Sequence, residues 1–367
     1  KLVKQIVMLY KKYLRKEILF SIALVLVSFL VVFTFFDFIE ELRKIGKGNY
    51  GLHQALIFEG LKIPGLCYEL VPIATLIGTL YALVNLARLS EITILRAAGV
   101  STKELLLTLL SMGSLLVFLT FIFGEVIVPF CENKAQNIKN TALEKIIAQV
   151  GFESGLWIKD NNNFINIRRA NPNGILEQIR IYKFDDNNRL VSVMDSEQGE
   201  FNQQQNLWEL KQNTITTLEQ HNKAKISKEK TIFWQTNLNP KLLNVMIVAP
   251  EKMSLFELLD YRKHLKNNKQ KTDRYDIAIW KKITYPFSIL VMITLALPFA
   301  FMSNRMATGV SLKIFIGVML GIVFYALNGL FSNLGMIHSW HSFASAATPS
   351  IIFLGIALYM LYRVEKI

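Results

Sequence analysis

The residues of this chain best placed to do chemistry are charges set against long apolar runs. RLSEITILRAAGVS, residues 88–101, places Arg88, Ser90, Glu91 and Arg96 between the runs Leu70–Ala87 and Leu105–Gly124. Read as a helix, it puts Ile92, Leu95 and Ala98 on one face, with Gly99 where a helix would stop. An apolar ridge carrying a carboxylate suits a groove in a soluble partner. From periodicity alone, a short interfacial helix that merely joins two spans is the readier reading. FFDFIEELRKIGKGNYG, residues 35–51, places Arg43 and Lys44 at headgroup height. There a cation pairs with lipid phosphate at about 1 kcal/mol each, or simply neutralises Glu40 and Glu41. Lys139 and Lys134 are weaker candidates of the same kind. Asp37, Glu69 and Glu125 fall in or near apolar runs. Burying a charge in hydrocarbon costs at least ~2.5–3.5 kcal/mol. Asp37 and Glu125 are therefore expected at span ends near headgroups, while Glu69, close to Pro72, is the candidate for a polar pathway.

Other chemistries find no support. No Gly-x-x-x-x-Gly-Lys-Ser/Thr loop occurs, so ATP is not expected to bind by that route. No Ser/His/Asp set or metal-ligand spacing stands out, and no cofactor is expected. His338 and His341 read as solvated histidines in a loop. Cys67 and Cys131 suggest neither a structural disulfide nor a redox motif.

The elements that must position these residues follow from the charge pattern. The chain has 367 residues, 52% hydrophobic, with a net charge of +13. A bilayer core about 30 Å thick needs roughly 20 apolar helical residues. Ile18–Phe36, Leu70–Ala87, Leu105–Gly124 and Ile283–Asn304 are four such runs, and Ile314–Tyr362 is long enough for two more, with MIHSWHSFASAATP as the turn. The first run is too long for a cleaved signal peptide. Short basic segments give the orientation. Residues 1–17 before span one, Arg88, Arg96 and Lys103 between spans two and three, Arg305 and Lys313 between four and five, and Arg363 and Lys366 after six belong on the cytoplasmic side. Lys47 and Lys62, with Arg43 and Lys44, are exceptions on the outer side. Residues 1–17 read as an amphipathic elbow helix on the anionic leaflet.

Between spans three and four the texture changes. Glu132–Gln149 reads as a polar helix with Ala135, Ile138, Ala142 and Ile146 on one side. Seven or so short strands follow: LWIKD, NFINIRR, IRIYKF, LVSVM, LWELK, TITTLE and TIFWQT, divided by turn-formers such as NPNG at 171. Such spacing predicts an antiparallel sandwich or jelly roll. The domain should end near NLNP, and SLFELLDYRKHLKNN reads as a helix capped by Ser254 with Glu257 at the capping-box position. The fold class is an α+β membrane protein: six transmembrane helices with an antiparallel β jelly-roll domain inserted between helices three and four. Its parts are an elbow helix (1–17), three spans (18–130) containing the joint at 88–101, a connecting helix (131–149), the β domain (150–248), connecting helices (249–282) and three further spans (283–367).

LVNLARLSEITILRAAGVS, FFDFIEELRKIGKGNYG, GLWIKDNNNFINI, FWQTNLNP and DRYDIAIWKKITYPFSILVMITLALPFAF together resemble the LptF/LptG permeases of lipopolysaccharide export. The GNYG-containing stretch lies closer to the LptG branch, and the resemblance spans essentially the whole chain. It implies a bacterial inner-membrane protein with both termini cytoplasmic and the β domain periplasmic. It further implies an LptF-like partner permease, two copies of an LptB-like ATPase, an LptC-like anchored protein and an LptA-like bridge. Under it, Arg88, Ser90, Glu91, Ile92, Leu95, Arg96 and Gly99 form a coupling helix docked on the ATPase, with Glu91 as its carboxylate. Arg43, Lys44 and Lys139 would contact lipopolysaccharide phosphates. Two positions depart from the family pattern: Asp37 and Gly65 stand where basic residues are expected. Three rivals remain in view. One is an exporter permease of the MacB-like class, whose outside domain falls between spans one and two. The others are a membrane-anchored interaction module and an intramembrane enzyme using Glu69 or the histidines.

Overall fold

The computed structural model describes residues 2–142, 156–170, 175–187, 189–202, 205, 207–219, 223–236, 249–301 and 310–365. The NPNG turn at 171–174, the domain end at NLNP (237–240), the connecting helix beyond residue 142 and Arg305 lie outside these residues. Two compact units divide the chain. One comprises Lys1–Ile39, Lys62–Cys131 and Asp273–Ile367, the other Glu40–Leu61 and Glu132–Thr272.

Among the described residues, six helices are long and apolar enough to cross a membrane: Tyr10–Leu42, Leu52–Arg88, Thr102–Lys139, Asp273–Phe299, Ser311–His338 and Ser342–Val364. They are spans one to six. The first four are each longer than their charge-free runs, because a helix needs apolar side chains only within the hydrocarbon and continues into polar sequence beyond it. Two expectations change for that reason. Span one belongs to an unbroken helix, Leu2–Leu42, so residues 2–17 form its first turns rather than a separate elbow. The turn between spans five and six shrinks to residues 339–341, since SFASAATP already belongs to the last helix.

Spans two and four form the centre of the first unit. They bury 78% and 72% of their apolar windows, against 17% for span one. Leu76, Leu80 and Val84 of span two pack with Met292, Leu295, Phe299, Phe324 and Phe353. Leu83 and Leu86 face Leu14, Ile18, Leu109, Ile289 and Ile293. A helix apolar all round is one that is covered all round. Span four breaks into a 3-10 turn at Tyr285–Phe287, where Pro286 lacks the N–H of a regular helix. Span three changes pitch at a π-helical turn, Phe123–Ile127. There the Tyr68 ring lies so close that a Cβ on Gly124 would stand 2.5 Å from it.

The second unit holds six antiparallel strands in the order β1-β2-β3-β4-β5-β6: Leu156–Asp160, Asn163–Ala170, Ile175–Phe184, Leu190–Asn202, Leu207–Glu219 and Lys223–Trp234. The antiparallel sheet stands as expected, but the described strands number six, because LWELK and TITTLE are one strand, β5. Each strand pairs with its neighbour in sequence, so within the described residues the sheet is an up-and-down meander. Its inner face buries Ile158, Ile165, Ile167, Leu176, Ile179, Ile181, Trp208 and Leu210.

Simple alternation fails along one transverse row. On β3 the buried residues step from Leu176 to Ile179, on β4 from Ser196 to Gly199, and on β5 from Leu210 to Asn213. Gln178 and Gln212 within those gaps take left-handed backbone, φ 53 and 55°. Pairing skips Arg168, Gln178, Glu197, Gln212 and Lys230 in the same row. Because neighbouring strands change phase together, register survives and the sheet creases. Asn213 supports the crease from inside by donating to the Leu210 carbonyl at 2.8 Å and accepting from the Ser196 hydroxyl.

After the sheet, the helix Leu255–Asn267 begins on a full capping box between Ser254 and Glu257, as its sequence predicts. At its other end Asn268 accepts the Asn161 N–H at 2.7 Å, tying down the β1–β2 turn.

Candidate functional site

Two groups of predicted residues take definite form. The first is the joint between spans two and three. Its helix is Glu91–Ala97, shorter than the predicted 88–101, with Arg88 ending span two and Thr102 starting span three. Ser90 turns the chain with φ 63°. The C-terminal end is a complete Schellman motif: Val100 N–H donates to the Leu95 carbonyl and Gly99 N–H to that of Arg96, each at 3.0 Å. Gly99 sits at φ +91°, where a Cβ would be strained.

The direction of this helix corrects the sequence reading. Ile92 is 5% exposed and joins Leu14, Leu86, Val100 and Leu105 in the core, with Leu95 packed against them. Two residues of the ridge read from periodicity, Ile92 and Leu95, therefore face inward, while the third, Ala98, is exposed. Outward stand Leu89, Thr93, Ala97, Ala98 and Ile94, the last 65% exposed. Glu91 is half-buried and within side-chain hydrogen-bonding reach of Tyr13 of span one. Arg88, Ser90, Arg96 and Gly99 are exposed, and the Arg96 guanidinium lies 5.3 Å from the centre of the Phe301 ring.

The second group gathers in the other unit around Glu41, which is 3% exposed. The end of span one carries this carboxylate, and three side chains reach it. Lys44 donates to Oε2 at 2.7 Å, Lys139 from the end of span three lies 2.8 Å from Oε1, and the Tyr50 hydroxyl donates to Oε1 at 2.8 Å. Lys139 also stands 4.0 Å from the centre of the Phe58 ring, within cation–π range. Burial works against the charge on Lys44, but its bond to Glu41, its contact with Lys139 and the charges of Glu41 and Glu40 together outweigh this and hold its pKa above the usual lysine value. Burial, reinforced by Glu41, pushes the Tyr50 phenol up, so it stays a donor at neutral pH. One carboxylate thus organises two ammonium groups and cancels only one of them. Arg43, one residue from Lys44, is exposed, and its side chain has no hydrogen bond or ion pair among the described residues.

The sequence reading joined Arg43, Lys44 and Lys139 as candidates and set Glu41 beside Lys44 as its neutraliser. It missed Tyr50 and Phe58, and nothing local places Lys139 on Glu41, 98 residues away. Lys134 is exposed on the same helix, while the buried Glu132 is met by Lys252 at 3.1 Å.

The intramembrane acids are also settled. Asp37 pairs with Lys62 at 2.9 Å, so this lysine has a carboxylate partner within the chain. Glu125 does not stand free at a span end. It sits in the π-helical turn 3.4 Å from Lys282, which is 7% exposed. Glu69 is half-buried, and its backbone carbonyl accepts the Tyr285 hydroxyl at 2.6 Å. Among the described residues no cluster of His, Cys, Asp or Glu has the arrangement of a metal site.

The chain's likenesses agree with this architecture. The family described as lipopolysaccharide export system permease LptF/LptG matches residues 12–363. The lipopolysaccharide export system permease protein LptG of Haemophilus influenzae is 31% identical over 359 residues, covering 96% of this chain and 98% of the relative. Its counterpart in Escherichia coli K12 is 31% identical over 354 residues, covering 96% and 97%.

Proposed function

The chain belongs to the LptF/LptG family of lipopolysaccharide export permeases, and from that premise we propose that it is one half of an ATP-driven extractor. It is a multi-pass inner-membrane subunit of the export system. In this reading it pairs with an LptF-like permease, and two copies of an LptB-like ATPase bind beneath the pair. Lipopolysaccharide passes to an LptC-like protein and an LptA-like periplasmic bridge. The joint and both termini lie on the cytoplasmic side, and the β domain lies in the periplasm.

The observation that carries the reading is the surplus cation at Glu41. Two lysines on one buried carboxylate, with Arg43 beside them, leave positive charge that an anionic lipid headgroup can claim. Each phosphate contact of this kind is charge-assisted and short. The joint supplies the stroke. Its exposed Ile94, Leu89 and Ala97 meet the ATPase, while Ile92 and Leu95 lock the helix to spans one, two and three. A push on the outer face is then transmitted to the spans rather than absorbed by a loose loop.

Two experiments test this. Mild-detergent purification of the tagged chain should return one homologous permease and two copies of an ATPase per chain; a chain that purifies alone while folded contradicts it. Glu91→Lys should insert normally yet uncouple lipopolysaccharide release from ATP hydrolysis, and normal transport by that variant would remove the joint from the mechanism.

A further inference from the structure

The crease across the sheet opens a cleft of about 570 Å³ on the polar face of the β domain. That volume falls in the range of small-ligand sites, ~300–1,000 Å³. The cleft is on the opposite side from the apolar inner face. Its floor is the phase-changing row itself: Arg168, Gln178, Glu197 and Gln212. On β3, β4 and β5 two successive residues there leave the inner face, which crowds amide and carboxylate groups into one band beside Arg168.

The lining selects among ligands. Two arginines, Arg168 and Arg180, are matched by two carboxylates, Asp195 and Glu197, and Arg180 is bonded to Asp195. The cleft thus carries no net charge to draw a phosphate cluster, unlike Glu41 and its lysines. It is too polar for an acyl chain. It spans the sheet face from the edge strand β1 to β5 and is lined by side chains, which offer no backbone ladder to a peptide strand. What it does offer is a flat apolar platform beside planar polar groups. Trp157, 48% exposed, stacks on Tyr182 with ring centres 5.6 Å apart and planes at 21°. Asn166 lies buried in the same row as Trp157 and Arg180. The carboxylate and amide groups accept and donate to vicinal hydroxyls, and the indole face receives the C–H side of a sugar ring.

We propose that this cleft binds a saccharide, and specifically the sugar portion of the exported glycolipid. The identity of that saccharide rests on the lipopolysaccharide reading above; the class of ligand rests on the cleft. Gln178 and Gln212 hold their backbones in a strained conformation that keeps the band of polar groups turned outward. The domain would then grip its cargo by the sugars while its apolar face stays available for the acyl part.

The test uses the full chain, purified with its partner subunits in detergent, and the sugar core of lipopolysaccharide freed of its acyl chains as the probe. Saturation-transfer NMR from protein to sugar protons should give a signal that falls at least threefold in Trp157→Ala and in Gln178→Gly. The glycine variant preserves the left-handed backbone, so loss there is not a folding defect. Sugar signals unchanged in both cleft variants would overturn the proposal. So would loss of acyl-proton signals instead of sugar signals when intact lipopolysaccharide is used with Trp157→Ala. The transport reading fails separately: the same complex showing no ATP-dependent lipopolysaccharide release, with sugar binding intact, would remove that reading and leave the cleft standing.

Discussion

Glu125 and Lys282 meet at 3.4 Å with both side chains largely buried, and their charges cancel. Glu41 is instead shared by Lys44 and Lys139, and its single charge cannot cancel two. The first pair fastens span three to span four at the π-helical turn. A balanced buried pair of this kind holds structure together and leaves no surplus charge. The second cluster is also held by a buried carboxylate, yet it retains positive charge at the surface. The difference teaches that ionisable groups beside a membrane are read by their local sum, and that the surplus marks the place for an anion.

The largest expected effect breaks the balanced side. Lys282→Met leaves Glu125 without this counter-ion in a low-dielectric setting, which should cost about 3–5 kcal/mol. Thermal unfolding of the detergent-solubilised chain should show a large fall in Tm, and Glu125→Gln added to Lys282→Met should restore most of it. A single variant as stable as the parent would show that the pair is not buried as described.

On the unbalanced side the loss appears in binding. Arg43→Gln with Lys44→Gln removes two cations worth about 1 kcal/mol each near a charged headgroup. Together that is about 2 kcal/mol, or roughly thirtyfold in lipid affinity. Tm should barely change, because Arg43 is exposed and Glu41 keeps Lys139 and Tyr50. The smallest effect falls on the Asp37–Lys62 pair, whose side chains are 33% and 20% exposed. Asp37→Asn should shift stability by no more than ~1 kcal/mol, read as a small change in Tm; a shift comparable to that of Lys282→Met would erase the distinction between the two kinds of pair.

Much of this was legible residue by residue. Ser254 with Glu257 and the stop at Gly99 are local motifs, so their sequence and their geometry agree. Five uncharged runs, the last of them double length, gave six spans. What stayed hidden depends on direction or distance. Periodicity grouped Ile92 with Leu95 but could not say whether that face met a partner or the chain's own spans. The break between LWELK and TITTLE fell at Gln212, where the buried residues step by three; alternation reads such a phase change as the end of a strand. Lys139 and Lys282 find their carboxylates only once distant helices are assembled.

The most direct measurement is photo-crosslinking of lipopolysaccharide to a probe at position 43 in vesicles holding the full complex, with and without Glu41→Gln. That substitution removes the carboxylate that Lys44 and Lys139 share while keeping a hydrogen-bonding side chain in its place. The account predicts more cross-linked lipid and slower ATP-driven release, because the anion no longer competes with Glu41 for the lysines. Cross-linking that falls, or stays the same with release unaffected, would contradict the view that surplus cation at this carboxylate receives the lipid's phosphate.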